Sequence, residues 1–424
     1  MELAPPRGTQ DLLPPRSDRM LGLYEEAHRL ANLFGYRYIE TPTFEQTELF
    51  SRTSGDTSDV VTKEMYTFQD KRGRSLTLRP EGTAGVMRSY LERAQELPTP
   101  FKGYYLETFF RRARPQSGRL REFRQFGIEL IGDEGPGSDV EVIAVGDGYL
   151  RGRGLSDLTL RLNSIGDATC RPGYRKRLVA YLEPHLDELD EDCRARLYTN
   201  PMRVLDCKVD GGKDFVLSAP LVSDHLCVPC EEHFQAVRSE LEGSGIAFEH
   251  DPRLVRGLDY YTRTAFEFVS GALSPANATV CGGGRYDGLA EILGGQPTPG
   301  IGFGLGLDRV LLAMESEAVP LPASRSAHCF VIAATSATWE PSMGLVRELR
   351  SEGISAIHSF VYKTLRAQLK MADRADADFV AILGEREITG GAVTLRRLSD
   401  GEQRTIPAGE VVRWLTRPQD WTTA

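Results

Sequence analysis

Four glycines at alternate positions are the feature that most restricts how this chain folds. They are Gly300, Gly302, Gly304 and Gly306 in the segment GIGFGLGLDRVLL, with large apolar residues between them. Period two is the repeat of a β-strand, so all four share one face. Because glycine in a strand packs nothing, the segment predicts either a flat floor for a planar ring or a strand packed tightly against a helix backbone. Arg309 would then open a helix beside the place where phosphates bind.

Length and composition predict a multidomain globular protein. The 424 residues correspond to about two to four domains. Hydrophobic residues make up 41% and charged residues 26%, which is ordinary for a protein with large cores. The 51 Lys and Arg residues against 60 Asp and Glu residues give a net charge of −9. This balance excludes a histone-like polycation but not a local basic face that binds a shaped nucleic acid.

The expected location is the cytoplasm, with no membrane partner. The sequence begins MELAPPRGTQ, without a basic start and an apolar run, and has no stretch that approaches roughly 18 apolar residues, so neither a signal peptide nor a transmembrane helix is predicted. The 7 Cys residues are odd in number and spread over a long chain. They argue against a disulfide scaffold and for reduced thiols.

Changes of pattern divide the chain into four predicted segments. Residues 1–166 mix helices with strands, whereas residues 167–246 are largely helical and charged. Strand patterns return in residues 247–318, so the middle block is interpreted as an insertion into a larger domain. After the linker EAVPLPASRSA, residues 327–424 alternate strands and helices, which predicts a small α/β domain.

One predicted strand has a polar face that suits a ligand. It follows the loop RRARPQSGR and places Phe126, Ile128 and Leu130 on one face. Gln125 and Glu129 lie on the other face. This polar face fits either a solvated sheet surface or a sheet floor that holds a polar ligand.

Two further segments bring reactive side chains to turns. In TLRPEGT a proline and a glycine flank Glu81, and such residues fix turns. Glu81 and Thr83 are therefore candidates for binding a ligand amine, although Thr83 also suits the N-cap of a following helix. In LVRGLDYYTRTAFEF, Arg256, Tyr260 and Tyr261 form a tight cluster. The cluster fits a pocket edge or a half-buried surface.

These segments together resemble the histidyl-tRNA synthetases, a family of class II aminoacyl-tRNA synthetases. GYRYIETPTF resembles motif 1, FRRARPQSGRLREFRQFGIELIG resembles motif 2 with its loop, and GIGFGLGLDRVLL resembles motif 3. RGLDYY and GGGRYDGL are the segments that mark the histidine enzyme. The resemblance implies an α+β fold with a class II catalytic core on an antiparallel sheet, a helical insertion domain and a C-terminal α/β anticodon-binding domain. It also implies a homodimer formed through motif 1.

The activity implied by the resemblance is ATP-dependent ligation of L-histidine to tRNA(His) through histidyl-adenylate, with Mg²⁺ assisting the release of diphosphate. Two alternatives stay open. One is a histidine-sensing paralogue like the regulatory subunit of ATP phosphoribosyltransferase, but such paralogues lack both RGLDYY and the C-terminal domain. The other activates histidine for an acceptor other than tRNA. Ala113, where the family usually has Glu, motivates it, whereas the retained Arg114-Pro115-Gln116 argues against it.

The resemblance also assigns roles to matching positions. Arg111, Arg256 and Arg309 form the implied catalytic set, because guanidinium groups pair with phosphate oxygens and stabilise developing charge. The implied ATP-binding residues are Arg111, Arg119, Gly304, Gly306 and Arg309. The implied histidine-binding residues are Glu81, Thr83, Gln125, Glu129, Tyr260, Tyr261 and Tyr286.

Contacts with tRNA are expected at two places. Arg114 and Gln116 match the family loop that reads the acceptor end of the tRNA. Lys363, Arg366 and Lys370 share one face of a predicted helix in the C-terminal domain. That basic face is either merely solvated or contacts tRNA phosphates.

The cysteines of the middle block pose a separate question. Cys227 and Cys230 form a CxxC pair, and Cys207 lies upstream. CxxC is a common half-site for zinc, which takes four thiolate or imidazole ligands. The second half-site is not tightly spaced, so a structural zinc ion at Cys207, Cys227 and Cys230 and a set of free thiols both remain open.

Overall fold

The computed structural model describes residues 3–54, 64–322, 327–417 and 421. The chain forms two compact units, Met1–Ala323 and Ser324–Ala424, which are described separately. None of the helices in these described ranges is long and apolar enough to cross a membrane.

The first unit contains a large sheet and a small one. The strands of the large sheet are β1 (Arg37–Tyr38), β5 (Phe101–Phe110), β6 (Glu122–Ile131), β7 (Leu158–Ser164), β8 (Glu249–His250), β9 (Thr262–Ser270), β10 (Thr279–Arg285) and β11 (Gly300–Gly306). Those of the small sheet are β2 (Phe44–Gln46), β3 (Tyr66–Gln69) and β4 (Ser75–Leu78). The large sheet has the order β1-β5-β6-β11-β10-β9-β7-β8, and only its two-residue edge strands pair in parallel. The predicted antiparallel core sheet is therefore confirmed.

Helices cover the large sheet and fill the connection between β7 and β9. They are α1 (Arg16–Leu33), α2 (Thr47–Ser54), α3 (Thr83–Arg93), α4 (Pro136–Gly152), α5 (Arg171–Leu182), α6 (Glu191–Arg196), α7 (Asp214–Leu217), α8 (Val228–Gly243), α9 (Leu289–Ile292) and α10 (Leu307–Ser316). The predicted apolar face of β6 is buried, with Phe126, Ile128 and Leu130 in one core cluster with residues of α1, α4 and α10. The opposite face of β6 is thereby left for polar side chains.

Strand register fixes where those polar side chains lie. β5 and β6 form a long antiparallel hairpin that closes on the pair Phe110 and Glu122. In the pairing of β6 with β11, Glu129 lies opposite Gly302 and Gln125 lies opposite Gly306. Every polar residue on this face of β6 therefore has a glycine beside it.

The second unit is a smaller α/β domain. Its strands are β12 (Cys329–Ala333), β13 (Ala356–His358), β14 (Phe379–Leu383), β15 (Ala392–Arg397) and β16 (Gln403–Pro407), and its helices are α11 (Trp339–Ser351), α12 (Leu365–Arg374), α13 (Glu385–Thr389) and α14 (Val411–Thr416). The sheet order is β13-β12-β14-β15-β16. β15 and β16 pair antiparallel as the predicted hairpin.

Candidate active site

A cavity of about 290 Å³ opens over the polar face of β6, β10 and β11. Most of the residues that the sequence nominated for histidine and ATP line it: Glu81, Thr83, Arg111, Arg119, Gln125, Arg256, Tyr260, Tyr261, Gly304, Gly306 and Arg309. Glu129 and Tyr286 are not in the lining. They are completely buried beside Thr83 and Tyr105, directly behind it.

Three arginines converge at one end of the cavity without an anion to balance them all. Arg309 donates to two carbonyl oxygens, those of Gly118 (2.9 Å) and Thr279 (2.7 Å), and Arg111 donates to the carbonyl of Pro80. Within the described residues neither Arg111 nor Arg309 forms an ion pair. Burial lowers the pKa of Arg309, and repulsion from Arg111 and Arg119 lowers it further. Such a cluster suits a phosphate chain, whose oxygens accept paired guanidinium N–H groups.

Arg256 lies on another wall of the cavity and is held by several partners. Its Nη1 forms an ion pair with Glu267, whose second oxygen accepts from Thr279 at 2.9 Å. Burial alone would lower the pKa of Arg256, but the charge of Glu267 outweighs it and the pKa is raised. The guanidinium also lies 5.3 Å from the centre of the Tyr261 ring, and its buried Nε has no hydrogen-bond partner. This donor is available to a group that enters the cavity.

Glu129 forms the centre of a buried polar cluster. Its carboxylate accepts from Thr83 Oγ1 at 2.7 Å and from the Tyr286 hydroxyl. Burial raises the pKa of Glu129 to about 8 despite these hydrogen bonds, and the neighbouring charge of Glu81 raises it too. A cationic group that reaches this carboxyl would favour its charged form and so promote release of the proton.

Glu81 caps the helix that borders the cavity. Its carboxylate accepts from the backbone N–H groups of Thr83 (2.8 Å) and Ala84 (3.1 Å) at the start of α3. The alternative that Thr83 is the N-cap is wrong, since Gly82 holds that position and the Thr83 hydroxyl turns to Glu129. Burial raises the pKa of Glu81, and the Tyr260 hydroxyl lies 3.4 Å from it.

The glycine face of β11 is a floor over only half its length. Gly304 and Gly306 line the cavity, whereas a Cβ at Gly300 would strike the Tyr286 ring and a Cβ at Gly302 would strike the Glu129 carboxylate. The prediction of one flat floor along all four glycines is therefore wrong for Gly300 and Gly302. The first two glycines make room for buried side chains, and the last two leave open surface. Gly282 on β10 likewise makes room for a neighbouring side chain, because a Cβ there would lie 2.6 Å from the Arg256 guanidinium.

Three lining carboxylates, those of Glu64, Glu267 and Asp308, were not nominated from the sequence. Glu64 forms an ion pair with Arg119 at 2.6 Å, and its backbone carbonyl accepts from Arg112 N. Glu267, the partner of Arg256, lies in the middle of β9. Neither Glu64 nor Glu267 has a local sequence pattern that distinguishes it, since each acquires its partner only through the fold.

The residues nominated for tRNA lie on exposed surface. Arg114 and Gln116 are exposed in the tight β5–β6 loop, where Gln116 and Arg119 form an isolated bridge. Arg366 and Lys370 are exposed on α12. The placement of Lys363 on the same helix is wrong, because the Thr364 side chain caps α12 and the helix begins at Leu365.

The cysteines do not form the single set that was predicted. Cys227 and Cys230 group with Asp167 and Cys170, whereas Cys207 groups with Asp190, Cys193 and Asp210. A zinc site made of Cys207, Cys227 and Cys230 is therefore wrong. The reason is that the CxxC pair begins α8 and faces the start of α5, away from the turn that carries Cys207.

Family models match nearly the whole chain. The histidyl-tRNA synthetase model matches residues 8–310, and a model described as an anticodon binding domain matches residues 328–417. The histidine–tRNA ligase of Acetivibrio thermocellus is 46% identical over 402 residues, which cover 95% of this chain and 96% of the relative. That of Moorella thermoacetica is 46% identical over 416 residues and covers 98% of both.

Solved structures agree with the sequence comparison. The crystal structure of apo S. aureus histidyl-tRNA synthetase superimposes with a TM-score of 0.82 at 37% identity. The match covers 98% of this chain and 100% of that chain.

Proposed function

Because the chain belongs to the histidyl-tRNA synthetase family, we propose that it is a histidine–tRNA ligase: it activates L-histidine with ATP to histidyl-adenylate, releases diphosphate, and transfers the histidyl group to the 3′ end of tRNA(His). The observation that carries this proposal is the single cavity with two chemically different ends. Among the described residues, Arg111 and Arg309 reach the cavity without ion pairs, whereas Glu81 lines the part where α3 begins and the Glu129 carboxyl lies buried behind Thr83.

At the arginine end, the bound group is the triphosphate of ATP. Arg111 and Arg309 pair with phosphate oxygens, and Arg119, already held by Glu64, adds a third guanidinium. Gly304 and Gly306 leave room above β11 for the planar base. Burial and the neighbouring Arg111 and Arg119 lower the pKa of Arg309, and an anion bound between these guanidinium groups would offset their mutual repulsion.

Magnesium enters this site with the nucleotide. The acidic residues of the described lining are Glu64, Glu81, Glu267 and Asp308, and each already accepts from a cation, a hydroxyl or a backbone N–H. They do not form a free oxygen cage, so the lining fits Mg²⁺ that is held mainly by phosphate oxygens. When bound, the ion supplies charge neutralisation for the departing diphosphate.

Adenylate formation takes place between the two ends. A carboxylate oxygen of histidine attacks the α-phosphorus of ATP, and the bond to the β-phosphate oxygen breaks. Arg256 faces the cavity with an unpaired Nε, and it stabilises the charge that grows on the α-phosphate. Glu267 and Thr279 hold it in place before the substrates arrive, so the group needs no reorganisation during the reaction.

The carboxylate end selects histidine. Glu81, Thr83 and Gln125 hold the α-amino group, and Glu129 with Tyr286, Tyr260 and Tyr261 defines the imidazole site. Selectivity follows from burial, because a side chain without an N–H would leave the Glu129 carboxyl without its ligand partner.

The tRNA extends beyond the cavity. Arg114 and Gln116 on the exposed loop contact the acceptor end. In the second unit, Arg366 and Lys370 contact the anticodon arm together with Lys363, which precedes the helix. An exposed aromatic residue supports a single-stranded partner here, since Phe360 is 89% exposed and bare aromatic rings stack on unpaired bases.

Assembly and organisation complete the proposal. A homodimer would cover the exposed aromatic side chains of the first unit at Tyr38, Phe44 and Phe68. The catalytic core would comprise residues 1–166 and 247–318, interrupted by the insertion at 167–246, with the anticodon-binding domain at 327–424. The enzyme would act in the cytoplasm, where its tRNA substrate is used.

The decisive experiment combines two assays. Diphosphate exchange into ATP is measured with each standard amino acid, followed by charging of tRNA(His) and of an unrelated tRNA. Exchange with histidine alone and charging of tRNA(His) alone are expected. Histidine binding without exchange would identify a histidine sensor, and exchange without charging would identify a ligase for another acceptor. Either result would overturn the proposal.

Arg256→Ala tests the assigned chemistry. Removing a charge that acts on the α-phosphate should lower the rate of adenylate formation by at least about 100-fold. The dissociation constant of histidine, measured calorimetrically without ATP, should change far less. Equal losses in both would contradict the role.

A further inference from the structure

Two groups of side chains that could bind a metal lie in the described part of the insertion, outside the cavity lining. In each group the ligand atoms all lie within 4.8 Å of one another. One group is Asp167, Cys170, Cys227 and Cys230; the other is Asp190, Cys193, Cys207 and Asp210.

The carboxylates of the second group are already used. Asp190 caps α6 by accepting from the N–H groups of Asp192 (2.7 Å) and Cys193 (3.0 Å). Asp210 accepts from Asp190 N and forms an ion pair with Lys213 at 2.7 Å. The Lys213 ammonium at this distance would repel a metal cation. In the first group Asp167 Oδ1 also accepts from Thr169 N (2.9 Å) and Cys170 N (3.3 Å), but the nearest cation among the described residues, Arg263, lies 3.8 Å from Oδ2. The first group also has three thiols where the second has two, so it is the better candidate for a metal.

The first group has the dimensions of a tetrahedral zinc site. Zinc–sulfur bonds of about 2.3 Å and a zinc–oxygen bond of about 2.0 Å place tetrahedral ligand atoms about 3.5–3.8 Å apart. The Cys170 and Cys227 sulfurs lie 3.6 and 3.8 Å from Asp167 Oδ1, and the Cys170 and Cys230 sulfurs lie 4.0 Å apart. These three distances are within a few tenths of an ångström of those in a tetrahedral site, and the remaining pairs lie within 4.8 Å.

The chain builds the group from two half-sites with the same spacing. Asp167 and Cys170 are three residues apart, as are Cys227 and Cys230. Cys170 is the N-cap of α5 and Cys227 is the N-cap of α8, so two helix N-termini meet at the group.

The backbone next to Asp167 leaves room for a ligand thiol. Gly166 has a φ of +66°, and a Cβ at this position would lie 2.6 Å from Cys170 Sγ. The Asp167 N–H lies 3.4 Å from the same sulfur, which is the kind of contact that orients a thiolate. The local conformation therefore holds Cys170 toward the other ligands.

We propose that Asp167, Cys170, Cys227 and Cys230 bind one Zn²⁺ ion. Four protein ligands leave no open position, so the ion is structural and not catalytic. It joins the first helix of the insertion, α5, to the last, α8. The site thereby holds together both ends of a segment inserted between β7 and β9, independently of the ligase reaction proposed above.

The first test measures metal content in the full-length protein. Protein purified in reductant with Zn²⁺ and then desalted is expected to retain about one zinc per chain by atomic emission. Cys227→Ser and Cys230→Ser should lose it. Cys207→Ser, in the second group, is the matched control and should retain it. Wild-type protein without zinc, or loss of zinc in Cys207→Ser alone, would overturn the proposal.

The second test does not depend on variants that lose a ligand. The zinc is replaced by Co²⁺, whose visible spectrum reports tetrahedral geometry and whose near-ultraviolet charge-transfer band grows with the number of thiolates. Asp167→Cys should keep one cobalt per chain and strengthen that band by about one third, since three thiolates become four. An unchanged band would exclude Asp167 as a ligand. A disulfide between Cys170 and Cys230 that persists in protein purified with reductant would likewise refute the site.

Discussion

Replacing Glu129 with glutamine should stabilise the protein at neutral pH while impairing its activity. The carboxyl group is 0% exposed and accepts from Thr83 Oγ1 and the Tyr286 hydroxyl. Burial raises its pKa from the usual 4.5 to about 8. At pH 7 the folded protein therefore keeps a proton on Glu129 that the unfolded chain releases. Glutamine has the same shape and carries no such proton, so it removes this penalty.

The size of the effect follows from the two pKa values. For an acid whose pKa is raised by folding, stability is lost as pH rises from the unfolded pKa toward the folded one. For Glu129 the range from pH 5 to pH 8 lies almost entirely between the unfolded pKa of 4.5 and the folded pKa of about 8. At about 1.4 kcal/mol per unit, the wild-type protein would lose at most about 3–4 kcal/mol relative to the glutamine variant.

The assay compares urea unfolding of the first unit in variant and wild type at pH 5, 6, 7 and 8. Tyrosine fluorescence monitors the unfolding. The difference in unfolding free energy between Glu129→Gln and wild type should grow in favour of the variant as pH rises. Glu291→Gln, at an exposed position, serves as the control and should leave the pH profile unchanged. Diphosphate exchange with histidine should fall by about 10- to 100-fold, since glutamine cannot ionise to give the carboxylate that would accept from the imidazole N–H. Parallel pH profiles of variant and wild type would refute the reasoning.

Three other substitutions probe the cavity and the second unit. Gly282→Ala places a Cβ 2.6 Å from the Arg256 guanidinium. It should lower the exchange rate at saturating substrate by about 10-fold or more. The control Gly288→Ala, whose Cβ would have no neighbour within 4 Å, should leave the exchange rate unchanged. Glu64→Gln removes an ion pair in the ATP half and should raise the KM for ATP several-fold with the KM for histidine unchanged. Lys370→Ala should weaken tRNA binding, reduce its salt dependence by about one counterion and leave exchange intact; an equal loss of exchange would exclude a tRNA contact.

Periodic patterns made much of the fold predictable. The two-residue repeat on β6 correctly separated a buried face from a polar one, since side chains alternate along any strand. The same repeat on β11 predicted a glycine face but not what covers it. That depends on register, which places Gly302 against Glu129 and Gly306 against Gln125. Register is set by distant strands and turns, so no local pattern contains it.

Residues that meet only after folding were beyond the sequence reasoning. The CxxC pair was visible, but its partners Asp167 and Cys170 lie about 60 residues earlier. Cys207, the cysteine named beside the pair in the sequence analysis, is much closer in sequence but belongs to the other group. Proximity along the chain was misleading, because α5 and α8 run from a common point and bring their first residues together. A start signal for each helix, combined with its cysteine, would have been the better guide.

Ala113 shows that a carboxylate missing from one motif position can be supplied by another segment of the chain. The family usually has Glu at this position of motif 2, so its absence suggested a weakened ATP site or another acceptor. A carboxylate nevertheless lies in the same part of the cavity, because Glu64 lines it and forms an ion pair with Arg119. Glu64 comes from before β3, while its carbonyl binds Arg112 N beside the alanine. Because Glu64 supplies a carboxylate from another segment, Ala113 alone does not indicate a different acceptor.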